Sequence, residues 1–145
     1  LSKHLMPGML KRNWGRILFI SSECAYLVPP DMISYSATKA ALHAAARGLS
    51  QLTKSSAVTV NTVVPGSTLT EGAQEFLANK AKTENKLIDE VEQSFFEGER
   101  SNSLLQRFAR VEEVASTVAY LCSPLSSATN GSVVKVDGGS SGGIL

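Results

Sequence analysis

The sequence has few of the features that would assign it to a special class of protein. Its two cysteines, Cys24 and Cys122, are too few for a disulfide framework and favour a reducing cytoplasm. With the two histidines, His4 and His43, they do not make a zinc-ligand pattern, so we expect no metal site. No apolar run approaches the ~20 residues of a membrane span, and the opening LSKHLMPGMLKR is too basic for a signal peptide. A net charge of +1 gives no reason to expect a nucleic acid or membrane partner.

A glycine-rich phosphate loop is also missing. No G-x-G-x-x-G run follows an early strand, which is where a dinucleotide-binding domain would carry it. The chain instead begins at Leu1 with a segment that reads as the end of a helix, followed by a basic turn at Lys11–Gly15. The sequence therefore offers no helix N-terminus suited to a pyrophosphate.

The remaining pattern is an alternation of strands and helices. Three apolar or β-branched runs, Arg16–Ile20, Val58–Val64 and Ser132–Asp137, predict strands of a parallel sheet covered on both faces. A helix is predicted from Tyr35 to about Ser55, and an amphipathic one over Val111–Cys122. We therefore predict an α/β fold in a single domain of 145 residues.

The first of these predicted helices is unusually rich in alanine. The residues concerned are Ala37, Ala40, Ala41, Ala44, Ala45 and Ala46. Alanine favours helix formation, and small side chains let another backbone approach closely. This surface either packs on the sheet or, in part, meets a partner subunit.

The segment 71–110 is the hardest to interpret. Helical spacing is visible over Ala73–Asn79 and Thr83–Phe96, and the intervening charges indicate a solvated face. Four large apolar residues here either line a pocket or pack in the core: Phe95, Phe96, Leu104 and Leu105. The sequence does not decide between the two.

Ser22, Tyr35 and Lys39 together indicate acid–base chemistry. Tyr35 and Lys39 are four residues apart, so a helix places the phenol and the ammonium on one face. A free tyrosine has a pKa of about 10 and is a poor acid or base near neutral pH, but a cation close by favours the phenolate. A serine hydroxyl at the end of a strand, such as Ser22, is suited to polarising a substrate oxygen.

These residues resemble the short-chain dehydrogenase/reductase family. The family carries a serine upstream of a Tyr-x-x-x-Lys motif, here Ser22 and Tyr35–Lys39. It also has a Pro-Gly turn followed by a threonine, here Pro65-Gly66 with Thr70, and a last strand that ends in Asp-Gly-Gly, here Asp137–Gly139.

The resemblance implies a Rossmann-like, doubly wound parallel sheet, of which residues 1–145 supply the last three strands and their helices. The N-terminal half, which binds the dinucleotide phosphates, would be absent, and the segment 71–110 would be the substrate lid. The implied activity is hydride transfer between NAD or NADP and a small carbonyl or secondary alcohol, in a cytoplasmic homodimer or homotetramer. The implied catalytic residues are Ser22, Tyr35 and Lys39. The implied cofactor contacts are Tyr35, Lys39, Pro65, Gly66, Thr68 and Thr70.

The sequence departs from the family directly after Ser22. Glu23-Cys24-Ala25-Tyr26 replaces the small residues common there, which puts the size of the pocket in doubt. An alternative function is therefore a catalytically silent module that acts in subunit association. In either case we expect the 145 residues alone to be inactive.

Overall fold

The computed structural model describes residues 1–143, which alternate between helices and parallel strands. The elements in chain order are α1 (Ser2–Lys11), β1 (Gly15–Ile20), α2 (Cys24–Leu27), α3 (Ile33–Ser50), β2 (Val58–Pro65), α4 (Glu71–Glu84), α5 (Ile88–Glu97), α6 (Val111–Cys122) and β3 (Val133–Val136). The predicted α/β fold is confirmed.

The three strands form one parallel sheet in the order β1-β2-β3. Gly15 lies opposite Val58, and Thr62 lies opposite Val133. β2 is the middle strand, and its valines are completely buried, as expected for a strand covered on both faces. Within residues 1–143, β1 pairs with a strand on one side only, so its other edge is open.

Helices cover both faces of the sheet. On one face, α1 and α3 enclose a core to which Met6, Ala46 and Ile17 belong. Side chains alternate between the faces of a strand, and Ile20, three residues after Ile17, accordingly lies with α6 on the opposite face. The arrangement is doubly wound, as the sequence predicted.

The predicted first and last residues are correct for α6 and differ for the other elements. The helix that carries Tyr35 begins earlier, at Ile33, and ends at Ser50, where a single 3-10 turn follows. The strand ends that differ from the prediction do so by one residue each, and β2 includes Pro65. The region between β1 and α3 contains the one-turn helix α2.

The prediction for the segment 71–110 is wrong in its helix boundaries. α4 continues to Glu84, and the chain then turns at Asn85, whose φ of 52° is left-handed and suits a helix C-terminus. α5 begins only at Ile88, where the Glu90 carboxylate accepts a hydrogen bond from the Leu87 amide at 2.8 Å. The predicted second helix is therefore interrupted by the non-helical residues 85–87, and its first residues belong to α4.

The same segment has a hydrophobic core of its own. Phe95, Phe96 and Phe108 pack with ring centroids 5.1–5.2 Å apart, and Leu77 and Val91 complete the cluster. Core packing therefore explains Phe95 and Phe96, which the sequence had left undecided. Leu104, by contrast, is 84% exposed.

The start of α6 is fixed by one carboxylate. Glu113 accepts hydrogen bonds from the Arg107 guanidinium at 2.9 and 3.0 Å and from the Arg110 amide at 2.7 Å. These contacts, led by the one from Arg107, lower the pKa of Glu113 to about 2. A carboxylate in the first turn also suits the positive end of the helix dipole, which explains why the boundary at Val111 was predictable.

Between residues 1 and 143, no helix combines the length and apolar character needed to cross a membrane. In the same part of the chain, no three His, Cys, Asp or Glu side chains are grouped so that they could hold a metal ion.

Candidate active site

The structure brings Tyr35 and Lys39 together in the first turns of α3. The Lys39 ammonium lies 5.5 Å from the centre of the Tyr35 ring, as their four-residue spacing predicted. Tyr35 is 41% exposed, so a substrate has access to its side chain. The pair places a proton-carrying group beside a fixed positive charge.

Lys39 is anchored at the carboxyl end of β1. Its Nζ donates a hydrogen bond to the Ile20 carbonyl at 3.1 Å. An ammonium has three donors, so two remain for other partners. In an open parallel sheet, ligands bind outside the carboxyl ends of the strands, and this contact puts Lys39 at that position.

Ser22 lies just beyond the same strand end. Its Oγ accepts a hydrogen bond from the Cys24 amide at 3.2 Å. Because the oxygen acts there as an acceptor, the hydroxyl proton is left to donate elsewhere. Ser22 is half-buried, so its hydroxyl group is only partly accessible to water.

His43 is a site-forming residue that the sequence did not single out. The Ser21 hydroxyl donates to the Lys39 carbonyl at 3.0 Å, and His43 Nε2 lies 2.7 Å from the same hydroxyl oxygen. Since the hydroxyl proton is already used, His43 contributes the hydrogen of the second bond. Burial lowers the pKa of His43 and so favours the neutral form of the ring. His43 follows Tyr35 and Lys39 at four-residue intervals, which places all three on the same face of a helix, and this spacing could have identified it from the sequence.

Tyr26, the other aromatic near this cluster, is unsuited to proton transfer. Its ring centroid is 5.4 Å from that of His43, and Lys135 Nζ lies 4.5 Å above it. Burial, and after it the charge of Asp137, raises the pKa of Tyr26. Tyr26 is nearly as exposed as Tyr35, at 39%, and it also lies beside a lysine, but its raised pKa disfavours the phenolate form.

The turn after β2 borders an apolar cleft of about 580 Å³. Pro65, Thr68 and Thr70 line it together with Ile20, and one face of α6 forms the opposite wall. Ile20 is also the residue whose carbonyl holds Lys39. The cleft and the Tyr35–Lys39 pair therefore meet at the end of β1.

Gly66 is required by packing. A Cβ at this position would lie 2.7 Å from the Cα of Asp137, closer than real contacts allow. The turn is further shaped by Thr68, which donates to the Gly66 carbonyl at 2.9 Å. Thr70 caps α4, with its Oγ1 accepting from the Ala73 amide at 3.3 Å. Both threonines thus have structural roles as well as positions in the cleft.

Glu23 is the second functional candidate that the sequence analysis did not identify as such. Its carboxylate is buried and accepts from Arg100 Nε at 2.9 Å and from the Ser67 hydroxyl at 3.1 Å. The departure from small residues after Ser22 therefore introduces a buried ion pair beside the site. Arg100 is 77 residues away in the chain, so no local pattern could have indicated this partner.

The chain is similar to known oxidoreductases. Residues 1–141 match the family described as enoyl-(acyl carrier protein) reductase. The uncharacterized oxidoreductase YvrD of Bacillus subtilis is 43% identical over 138 residues, which is 95% of this chain and 52% of that protein.

Solved structures give the same answer. A short chain dehydrogenase/reductase family protein superimposes with a TM-score of 0.76 at 32% identity, covering 96% of this chain and 51% of its own. YwfH, an NADPH dependent reductase involved in bacilysin biosynthesis, superimposes with a TM-score of 0.81 at 27% identity, covering 99% and 53%.

These matches leave part of each relative uncovered. The chain spans about half the length of the curated relatives it matches. Along that half its parallel α/β fold superimposes on the structures of these neighbours. The chain belongs to the short-chain dehydrogenase/reductase family.

Proposed function

We propose that the chain contributes the catalytic part of an NAD- or NADP-dependent oxidoreductase that interconverts a carbonyl and a secondary alcohol. The observation that carries this proposal is the Tyr35–Lys39 pair at the end of β1, with the ammonium 5.5 Å from the ring and bonded to Ile20. Membership of an oxidoreductase family supports it.

Each of the three polar residues has a distinct role in this proposal. Tyr35 exchanges a proton with the substrate oxygen. Lys39 holds a positive charge 5.5 Å from the ring that carries out this exchange. Ser22 donates its free hydroxyl proton to the same substrate oxygen and so stabilises the charge that develops there.

The residues present fit the nicotinamide end of such a cofactor. The cleft is apolar enough to take an aromatic ring, and Thr68 and Thr70 line it while their hydroxyl groups bond to the backbone of the turn and of α4. Pro65 and Gly66 shape the turn, while the two unused donors of Lys39 suit ribose hydroxyls beside Tyr35. When bound, the cofactor supplies the hydride, and the protein supplies its binding and orientation.

Lys39→Met tests this assignment in a chain that also contains a dinucleotide-binding half before Leu1. We expect weaker binding of NADPH or NADH, and a lower kcat, because one ammonium serves both the ribose and the phenol. Fluorescence titration and steady-state kinetics measure the two effects.

Lys82→Met is the matched control, since Lys82 is exposed at the end of α4 and away from the strand ends. Unchanged cofactor affinity in Lys39→Met would contradict the ribose contact. Unchanged kcat would contradict the role beside Tyr35.

The segment 71–110 is placed to cover the substrate, as we propose for a lid. It follows Thr70, which lines the cleft, and near its other end Ala109 pairs with the turn after β2. The Ala109 amide donates to the Ser67 carbonyl at 2.9 Å, and the Ala109 carbonyl accepts from the Leu69 amide at 2.8 Å. Both ends of the segment are therefore fixed beside the cleft, while α4 and α5 lie between them.

The outer face of α3 is the proposed subunit interface of a homodimer or homotetramer. Of its six alanines only Ala46 is buried against the sheet. The other five, together with Gly48, are exposed and leave a surface without large side chains. Such a surface allows the same helix of a second copy to approach closely, in keeping with the symmetric contacts of most homo-oligomers.

Sedimentation of the longer chain at micromolar concentration should show a dimer or tetramer. The double variant Ala41→Arg/Ala45→Arg should sediment as a smaller species, because two long cations replace methyl groups on that face. Asn79→Arg, on the exposed side of α4, should leave the assembly intact. A monomeric parent protein would contradict the proposed interface.

A further inference from the structure

Glu23 lies at a junction between three separate parts of the chain. It directly follows Ser22, and its amide donates to the Pro65 carbonyl at 2.9 Å. Its backbone is therefore attached to the end of β2, while the residue before it carries the hydroxyl assigned to the substrate oxygen.

The Glu23 side chain makes the other two connections. Its Oε1 accepts from Ser67 in the turn after β2 and from Arg100 in the segment 71–110. Arg100 comes from just beyond α5, and its guanidinium carbon also lies 5.6 Å from the Phe95 ring centre. One carboxylate oxygen therefore links the Ser22 loop, the cofactor-side turn and the core of the lid.

The Glu23–Arg100 ion pair is largely buried, so stabilising the fold is not a sufficient reason for its presence. The side chains of Glu23 and Arg100 are 4% and 13% exposed. Among the described residues, Glu23 Oε2 is also buried without a hydrogen-bond partner. Removing charges from water costs free energy that a buried pair often fails to recover, and apolar residues of similar size commonly stabilise a fold at least as well. What an ion pair adds over apolar packing is a fixed direction for each of its bonds.

We propose that Glu23 is a positioning residue for Ser22, and that Arg100 makes this positioning depend on the lid. Glu23 holds the Ser22 loop against the end of β2 and thereby fixes where the Ser22 hydroxyl points. Because Arg100 belongs to the segment 71–110, the loop is held in place when that segment is seated. The inference rests on the proposed role of Ser22.

Glu23→Gln tests the positioning in the chain that includes a dinucleotide-binding half. The amide keeps the size and one acceptor but removes the charge that holds Arg100. We expect kcat to fall roughly tenfold to a hundredfold, as for a small misplacement of a catalytic group, with the Kd for NADPH unchanged. In a Ser22→Ala background, the same substitution should cause no further loss, because the hydroxyl that it misplaces is gone.

Measuring Glu23→Gln both with and without Ser22→Ala distinguishes the positioning role of Glu23 from the catalytic role of Ser22. If Ser22→Ala lowers kcat and Glu23→Gln lowers it further by the same factor in both backgrounds, the positioning role is wrong and the proposed function stands. If Ser22→Ala leaves kcat unchanged, the assigned role of Ser22 is wrong, and the inference fails with it.

Ser67→Ala provides a milder variant in case Glu23→Gln does not fold. It removes one of the two donors to the carboxylate and leaves the ion pair, so a smaller loss of kcat is expected, again absent in the Ser22→Ala background. Lys80→Met is the control: it breaks the exposed Lys80–Glu99 pair next to Arg100 without touching Glu23. A loss in the control equal to that in Ser67→Ala would overturn the proposal.

Discussion

Tyr35→Phe should reduce carbonyl turnover by roughly a hundredfold to ten-thousandfold, the usual contribution of a positioned acid or base. The substitution removes one hydroxyl and keeps the ring beside Lys39. Tyr35 is also 41% exposed, so the fold loses little packing. Cofactor binding should therefore persist while the chemical step fails. Steady-state kinetics in the longer chain, with NADPH affinity measured in parallel, give both quantities.

Tyr120→Phe is the matched control for this experiment. Tyr120 is similarly exposed, at 49%, but lies near the end of α6, away from the Tyr35–Lys39 pair. Its variant should keep full activity. Substantial residual turnover in Tyr35→Phe would remove Tyr35 from the proposed mechanism, and a catalytically silent association module would then become the better account.

The verified 145-residue chain, on its own, should bind neither NADH nor NADPH measurably and should self-associate. The sequence holds no glycine-rich turn for the pyrophosphate, so the cofactor would be held at its nicotinamide end alone. Within the part of the chain that the structure describes, β1 also has an open edge, and its last residue, Ile20, is 45% exposed beside the apolar cleft. Open edges with apolar surface promote pairing between chains. Calorimetric titration and light scattering measure the two outcomes.

Ile20→Lys tests whether self-association depends on the open edge of β1 or on exposed apolar residues in general. A charge at this edge should reduce scattering by the isolated chain, since charged side chains discourage edge-to-edge pairing. Leu125→Lys, which alters a residue that is 81% exposed outside the sheet, should have little effect. Micromolar binding of either dinucleotide by the 145-residue species would contradict the first part of the prediction.

The parts of the fold that follow from local pattern were predictable from the sequence. The strand at Val58–Val64 is β-branched almost throughout, and the helix at Val111–Cys122 has an apolar stripe and a clear stop at Pro124. The contact between Tyr35 and Lys39 follows from helical spacing alone. In each case the interacting residues are neighbours in the chain, so the sequence contains the geometry.

The parts that depend on distant partners were not predictable. The buried pair between Glu23 and Arg100 exists only because the segment 71–110 folds back on the loop after β1. Similarly, Gly66 reads as a turn residue, and its contact with Asp137 appears only when β2 and β3 lie side by side. The break at Asn85 was missed for a different reason, because the charged residues around it fit a helix on either side.

The phenylalanine cluster of the segment 71–110 affects how this segment can separate from the rest of the protein. The cluster does not share its buried residues with the core beneath α1 and α3. A unit with its own core can detach from the rest of a protein as one cooperative foldon, without melting. Its separation would break the bridge at Ala109 and the bond to Glu23 while the aromatic rings stay packed. Local opening and global unfolding are therefore distinct events in this fold, with separate free-energy costs.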